Sequence, residues 1–284
     1  MPSETEQHTS VLLIDAHVHL HDCFAPGVLF DHAHRNFEQA ARAHAWEAAL
    51  GVLMLTESAG VDRFEGLGGL AADAPADPTS PLGTWRLELT PDPTALAATS
   101  GARRLLLIAG RQVVAREGLE VLLLGTRATV QDGQPIRTVL AEGGRLGALR
   151  VIPWGAGKWL FARGRLLRQL MVEARTDPGV FLGDGSGRPF FWTKPRHFTE
   201  AERRGIRVLP GTDPLPFPSE VGRAGSYGFR LEGAVDLSRP GEGLKAALRS
   251  PASRLAPFGR LERLTPFVRH QIAMQRLKRR RVPA

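Results

Sequence analysis

Residues with the chemistry of metal ligands are concentrated near the start of the chain. The stretch LLIDAHVHLHDCF, residues 12–24, places Asp15, His17, His19 and His21 on every second position. Successive side chains of a β-strand point to opposite faces, so these four are predicted to share one face. Two imidazoles so placed can hold one cation at about 2.0–2.1 Å from each nitrogen. The alternative is that one histidine caps a carbonyl and the others are solvated, but His-x-His after an apolar run favours a metal or catalytic site.

Polar side chains also follow most of the later apolar runs. Parallel α/β barrels build their active sites from the carboxyl ends of several strands, so these positions are candidates for one common site. They are Glu57 and Ser58 after VLMLT, Arg111 and Gln112 after RLLLIAG, Glu120 beside VLLLG, Trp154 and Lys158 after ALRVI, Asp184 and Arg188 after GVFL, and Thr212 and Asp213 after IRVLP.

The elements that must position these residues follow a strand-then-helix order. Apolar runs that are typical of strands recur at 11–18, 51–55, 104–110, 119–125, 148–152, 179–183 and 206–210, with helical patterns between many of them. This alternation predicts parallel strands covered by helices, and the number of strands predicts closure into a barrel.

The order of these motifs resembles the PHP (polymerase and histidinol phosphatase) family. IDAHVHLHDCF is similar to the opening D-x-H-x-H element of that family, and LTES to its Thr-Asp-His element. AGRQ is similar to Gly-x-Glu, VIPWGAGKW stands where an apolar strand ends in His-Pro, and GTDPLP is similar to the closing Gly-Ser-Asp-x-His. The resemblance spans residues 11 to about 215 and implies a distorted TIM-like (β/α)7 barrel with metal-dependent phosphoesterase activity.

Several family ligand positions carry other residues here. Thr56-Glu57-Ser58 occupies the position of Thr-Asp-His, and Gly110-Arg111-Gln112 that of Gly-x-Glu. Glu120 occupies the position of a histidine on the returning strand of a hairpin. After His44 only His197 and His270 remain, which is too few imidazoles for a multinuclear site. The resemblance therefore implies about one divalent ion, zinc, manganese or iron.

Site roles follow from this resemblance. The predicted metal ligands are His17, His19, Glu57, Glu120 and Asp213, with Asp184 as a further candidate ligand. Glu57 and Asp213 are also the predicted catalytic residues, and the predicted substrate-binding residues are Lys158, Arg188, Asp184, Arg111 and Gln112. The expected function is a phosphoesterase that acts on a small phosphorylated substrate through a metal-activated water.

Two other functions stay open. A barrel that has lost ligands can serve as a non-catalytic module that binds a metabolite or a partner, because fold does not imply function. His-x-His and a late Gly-Thr-Asp-Pro also resemble amidohydrolases, metal-dependent enzymes that hydrolyse amides or esters, but residues 100–190 contain none of the further histidines that those enzymes use.

Charge and cysteine content limit the remaining possibilities. Residues 254–284 hold nine basic side chains and one acidic one, a balance of 9 − 1 = +8 that equals the net charge of the whole chain. We predict a disordered segment at 1–10, a barrel at 11–250 and a basic helical extension at 251–284. This extension is either a solvated helix or one that contacts an anionic partner, with nucleic acid not the favoured choice. One cysteine, Cys23, excludes an internal disulfide, and a polar start without a long apolar run predicts a cytoplasmic protein.

Overall fold

A computed structural model describes residues 11–46, 49–73, 80–191 and 194–262, together with 269, 273 and 274. Its twelve strands are β1 (Val11–Val18), β2 (Ala49–Leu55), β3 (Arg86–Leu89), β4 (Ala95–Ser100), β5 (Arg103–Ile108), β6 (Gly110–Val114), β7 (Glu120–Leu124), β8 (Leu149–Pro153), β9 (Val180–Gly185), β10 (Val208–Gly211), β11 (Tyr227–Glu232) and β12 (Arg254–Gly259). Its α-helices are α1 (Pro26–Ala43), α2 (Arg63–Asp73), α3 (Ile136–Arg145), α4 (Phe161–Glu173), α5 (Arg196–Arg203) and α6 (Pro240–Arg249). Short 3₁₀ helices span Ala174–Thr176 and Pro218–Arg223.

The strands form two separate mixed sheets. The first has seven strands in the order β12-β11-β1-β2-β5-β4-β3, and the second has five in the order β10-β9-β8-β7-β6. The predicted closed (β/α)7 barrel is therefore wrong: within the described residues no continuous ladder joins the two sheets into a ring. Outside the named ladders they meet at a bridge between Glu57 and Arg111, and β10 lies beside β1.

An antiparallel hairpin explains why the barrel does not close. Strand β4 pairs with β5 along the whole of Arg103–Ile108, and β3 pairs with β4 in turn. The hairpin thus occupies the edge of β5 that a further parallel strand would need. The chain then turns at Ala109 and begins the second sheet with the antiparallel hairpin of β6 and β7. The sequence pattern predicts a hairpin between 104–114 and 119–125, which the pairing of β6 with β7 confirms, but it does not predict the pairing of β5 with β4.

The core lies between the sheets and under the helices. Buried side chains from both sheets pack together in the space between them, among them Leu12, Ile14, Leu122 and Phe181. Helix α6 contributes Leu244, Ala247 and Leu248 to the same cluster. A second cluster packs α1 and α2 on the other face of the first sheet, and a third packs α3, α4 and α5 on the second sheet.

The predicted boundary at residue 250 divides the first sheet. Residues 254–259, assigned from sequence to a helical extension, form the edge strand β12, which pairs antiparallel with β11. Every residue from Arg254 to Gly259 has a partner in β11, so this part of the chain belongs to the sheet. The predicted disordered segment at 1–10 and most of the basic segment after 262 lie outside the described residues. Over the part of the chain that is described, no helix is long and apolar enough to cross a membrane.

Candidate metal centre

A β-bulge in β1 determines which side chains face the site. The pairing register of β1 with β2 shifts between Asp15 and Val18. Ile14 and Ala16 face the core between the sheets, whereas Val18 packs under the helices with Leu13. The bulge therefore reverses the alternation, and Asp15 does not share a face with His17 and His19. The sequence pattern predicted one common face because periodicity alone does not reveal a bulge.

His17 and His19 converge on Asp213, which follows β10. Their Nε2 atoms lie 3.1 Å apart, and Asp213 Oδ1 lies 3.5 Å from each of them. Both imidazoles are buried, and the Asp213 side chain is 39% exposed. These three residues are the group that the structure brings within ligand distance of one another in the described chain.

The separations match one coordination sphere. Ligands at about 2.0–2.1 Å in tetrahedral geometry lie about 3.3–3.4 Å apart, close to the three distances between these donor atoms. Two imidazoles and one carboxylate are a donor set that zinc, iron and manganese accept. Gln112 Oε1 lies 3.2 Å from His17 Nε2, so a neutral oxygen stands beside the three donors. The residues therefore fit a single divalent ion.

The protonation states of these ligands favour a bound cation. Burial, aided by the charge of His17, lowers the pKa of His19 to about 3, so this imidazole is neutral and its lone pair is available near pH 7. Burial opposes ionisation of Asp213, but electrostatic interactions with His17, His19, Lys158 and Arg223 hold its pKa below the usual range. An ionised carboxylate beside a neutral imidazole is the state that metal binding requires.

Backbone geometry at Asp213 holds its carboxylate beside the histidines. Asp213 has φ of +48°, a left-handed conformation that only a few per cent of non-glycine residues adopt. Its N–H donates to the His17 carbonyl oxygen at 2.7 Å, which joins the end of β10 to the bulge of β1. Such unusual backbone at a convergence of polar side chains is typical of functional sites.

Asp15 lies outside the group of three donors but bonds to the backbone beside them. It was not among the predicted site residues. Its carboxylate accepts hydrogen bonds from the N–H groups of His17, Thr212 and Gly225 at 3.2, 2.8 and 2.9 Å, and from the Thr212 hydroxyl at 2.5 Å. It is fully buried, and burial raises its pKa to about 6 against the effect of these donors. Its position in the Asp-x-His-x-His motif was the available sequence signal.

Glu57, a predicted ligand and catalytic residue, is not in the ligand group. It lies opposite Arg111, whose Nη1 donates to Glu57 Oε2 at 2.9 Å, and Glu57 Oε1 accepts from the Phe64 N–H at 2.7 Å. Arg111 and Gln112 point to opposite faces of β6, so the Glu57 pair lies on the face away from the histidines. Burial raises the pKa of Glu57, opposed by these two donors. Arg111 also donates to the Val61 carbonyl oxygen at 2.6 Å, so its guanidinium group is held by groups of the chain.

Asp184 and Arg188 are also paired with each other. Arg188 donates to both Asp184 oxygens at 2.8 and 2.7 Å, and the Tyr227 hydroxyl donates to Asp184 at 2.8 Å. Both side chains of the ion pair are 8% exposed. Nothing in the sequence indicated Tyr227, which lies 43 residues from Asp184.

Glu120, the remaining predicted ligand, forms an ion pair with Lys158 instead. The ladder pairs Gln112 with Leu122 and Val114 with Glu120, so Gln112 and Glu120 share one face of the hairpin. The structure thus keeps Glu120 on the side of the site but outside the group of three ligands.

Comparisons with known proteins show a related fold. No family model matches the chain, and no curated protein matches it, so membership of the PHP family remains a resemblance. The crystal structure of PsfC from Pseudomonas syringae PB-5123 matches with a TM-score of 0.56 and 15% identity, covering 94% of this chain and 99% of that one. The lesion-specific endonuclease PfuEndoQ from Pyrococcus furiosus matches with a TM-score of 0.46 and 12% identity, over 86% of this chain and 57% of that one. Endonuclease Q in complex with a 27-mer duplex containing an abasic lesion matches with a TM-score of 0.46 and 13% identity, over 86% and 58%. At 15% identity, the likeness to PsfC is a likeness of fold, and it extends over nearly the whole chain.

Proposed function

We propose that this protein is a metal-dependent hydrolase with a single divalent ion held by His17, His19 and Asp213. The observation that carries the proposal is the convergence of three donor atoms at 3.1–3.5 Å. Three protein ligands are the number that catalytic zinc sites use, which leaves a coordination position for water or substrate. A divalent ion in such a site lowers the pKa of bound water and polarises the bond to be hydrolysed.

The chain's own residues divide the remaining tasks. Asp213 serves as a ligand rather than a general base, since an efficient base has a pKa near the working pH and the pKa of Asp213 is lowered. Gln112 offers a neutral amide beside His17, where it can accept from or donate to a bound substrate. Asp15 holds the backbone of His17 and Thr212 and so fixes the ligands on both sides of the site.

The substrate class we propose is a phosphoester, as the resemblance to PHP phosphoesterases implies. The comparisons lend no support to a small phosphorylated molecule as opposed to a larger one, so size is not part of the proposal. A metal-bearing protein that turns over neither phosphoesters nor amides and lactones is the outcome that favours the non-catalytic binding module. Turnover of amides or lactones alone favours the amidohydrolase alternative.

The first test is metal content. We expect purified protein, supplied with zinc, manganese or iron and then desalted, to retain about one equivalent of metal, and a His17→Ala, His19→Ala variant to retain less than about a tenth. His34→Ala is the matched control, because His34 lies on α1 and faces Glu38 at 3.9 Å. Elemental analysis measures all three proteins, and wild-type protein without metal after supplementation would falsify the proposal.

A further inference from the structure

Glu120 and Lys158 form an ion pair beside the candidate metal centre. Glu120 begins β7 on the same face of the hairpin as Gln112, the neighbour of His17. Lys158 lies in the loop that follows β8 and reaches across to the Glu120 carboxylate. The side chains are 21% and 33% exposed, so the pair is partly open to solvent.

The loop that carries Lys158 is shaped around its side chain. The Lys158 N–H donates to the Gly155 carbonyl oxygen at 2.9 Å, which closes a tight turn. A Cβ atom at Gly155 would lie 2.6 Å from Lys158 Cδ, so the aliphatic part of the lysine occupies the space that a side chain at 155 would take. The turn therefore holds the ammonium group beside the Glu120 carboxylate, on the face of the hairpin that also carries Gln112.

The other cations around the site are held more firmly. Arg223 donates to Glu262 at 2.6 Å and to Ser186 Oγ at 2.6 Å, and it also pairs with Glu220. Arg188 forms its two-bond pair with Asp184 while almost fully buried. Removing either arginine from its partners would leave a buried carboxylate without a counter-charge, which is costly. Lys158 has a flexible stem and a partly solvated carboxylate partner, so exchange of that partner costs little.

We infer that Lys158 is the anion-binding residue of the site and that Glu120 holds its ammonium group until an anionic substrate displaces the Glu120 carboxylate. This inference rests on the proposed function, because it describes the substrate of the proposed hydrolase: a molecule with a negatively charged group beside the bond to be hydrolysed. Glu120 is then a positioning residue, and its carboxylate competes with the anion for the Lys158 ammonium group. Lys158 determines specificity for charge.

Binding of inorganic phosphate to the full-length protein tests this inference directly. Isothermal titration calorimetry gives the dissociation constant for wild type, Lys158→Gln and Glu120→Gln. We expect Lys158→Gln to weaken phosphate binding about tenfold or more, because a charged hydrogen-bond donor is lost. Glu120→Gln should strengthen phosphate binding by about threefold, because a partly exposed ion pair that competes with the ligand is removed.

Gly155→Ala is a second variant that tests the position of the Lys158 side chain without removing it. It keeps the lysine but pushes its side chain from the observed position, so it should weaken phosphate binding in the same direction as Lys158→Gln. Lys194→Gln is the matched control, since Lys194 forms an exposed ion pair with Glu202 on α5 and should leave the dissociation constant unchanged. Circular dichroism checks that every variant is folded.

Two results would overturn the inference: wild-type protein that binds no phosphate, or a dissociation constant that Lys158→Gln leaves within about twofold of wild type. Hydrolysis of p-nitrophenyl phosphate and of the neutral p-nitrophenyl acetate gives a second readout. Lys158→Gln should raise KM for the phosphate ester alone. Failure of the proposed function is a different observation, because it is absence of metal by elemental analysis, whereas phosphate binding is measured on each protein irrespective of metal content.

Discussion

At the scale of single residues, Asp15 is the group on which the candidate centre depends most. It touches no predicted substrate position, yet it accepts hydrogen bonds from the segments that carry His17 and Thr212 and from Gly225. One buried carboxylate thus ties the first strand to segments that lie about two hundred residues further along the sequence. The candidate ligands owe their positions to a residue outside their own group of three.

Replacement of Asp15 by Asn should therefore lower stability and loosen the site together. The substitution replaces one carboxylate oxygen by an amide nitrogen, which is a donor. If this nitrogen takes the place of the oxygen that accepts from the Gly225 N–H, two donors face each other. The buried Gly225 N–H is then unpaired, at a cost of about 1–3 kcal/mol. Chemical denaturation measures the free energy of unfolding. Asp31→Asn serves as the control, since Asp31 is a partly exposed partner of Arg103. An equal loss in both variants would contradict the special role of Asp15.

The three candidate metal donors were named from sequence: His17 and His19 by their local His-x-His spacing, and Asp213 by the resemblance of Gly-Thr-Asp to the closing element of the PHP family. The interactions of the other candidate carboxylates could not be predicted in this way. Glu57 is paired with Arg111, which lies 54 residues away, and Asp184 with Arg188 and with a tyrosine 43 residues away. A carboxylate is available to a metal only if no nearby cation holds it, and the pairing of distant residues depends on the fold. The same limit applies to the strands: apart from the hairpin of β6 and β7, the apolar runs indicated the positions of the strands but not their partners.

At the scale of elements, the contact of β10 with β1 sets the separation of the ligands. Gly211 ends β10, and a Cβ atom there would lie 2.5 Å from the His17 nitrogen and 2.6 Å from His17 Cβ. Only glycine permits the two strands to approach so closely. Asp213 follows two residues later and depends on that approach to reach the histidines.

Gly211→Ala should accordingly reduce metal affinity by about tenfold or more, the size of effect seen when residues outside the ligand shell are changed. Gly185→Ala is a closely matched control, because Gly185 pairs with Gly211 in the ladder of β9 and β10, and a Cβ atom at Gly185 would meet no atom of the described chain within 4 Å. Competition with a fluorescent zinc chelator measures both affinities. Equal affinities in the two variants would show that the strand contact does not set the site.

A second element-level contact joins β8 to the turn that precedes β9. Arg150 donates to both oxygens of Asp177 at 2.7 and 2.9 Å. Burial opposes ionisation of Asp177, but the hydrogen bonds from Arg150 and Gly179 lower its pKa below the usual value. A lowered pKa means that the folded state binds this proton less readily than the unfolded state, so the pair stabilises the fold at neutral pH and this stabilisation is lost as the pH falls below about 4.

Asp177→Asn should remove about 1–3 kcal/mol of stability at pH 7, because it leaves the largely buried Arg150 without its counter-charge. The difference from wild type should shrink as the pH falls below about 4, where protonation makes the native side chain neutral as well. Urea denaturation across this pH range provides the measurement, with Glu173→Gln as the control for an exposed arginine partner. A difference that stays constant with pH would contradict the assignment.

At the scale of the whole molecule, charge is distributed unevenly along the chain. Residues 263–284 contain seven basic residues and no acidic one, so the remainder of the chain has a net charge of 8 − 7 = +1. The described chain reaches Glu262 beside the loop after β9, where its N–H donates to the Ser186 carbonyl at 3.0 Å. Glu262, which precedes the basic segment, therefore lies on the side of the molecule that carries the candidate centre.

Truncation after Glu262 should abolish retention of the protein on heparin or duplex DNA at low salt, while the full chain is retained and elutes as salt rises. Neutralisation of several phosphates by Lys and Arg makes binding strongly dependent on salt concentration. Fluorescence anisotropy with a labelled oligonucleotide at several salt concentrations gives the slope. Unchanged binding by the truncated protein would assign the contact to residues 1–262 instead.

The open arrangement of the sheets also has a consequence for self-association. A sheet that does not close into a ring presents terminal strands, and an unprotected terminal strand is a template for the addition of another chain. In the seven-stranded sheet these are β3 and β12. Strand β3 is short and exposes Arg86 and Glu88, while β12 carries Pro257, which has no N–H to donate to a further strand. Charge at one end and proline at the other protect the molecule against edge-to-edge polymerisation.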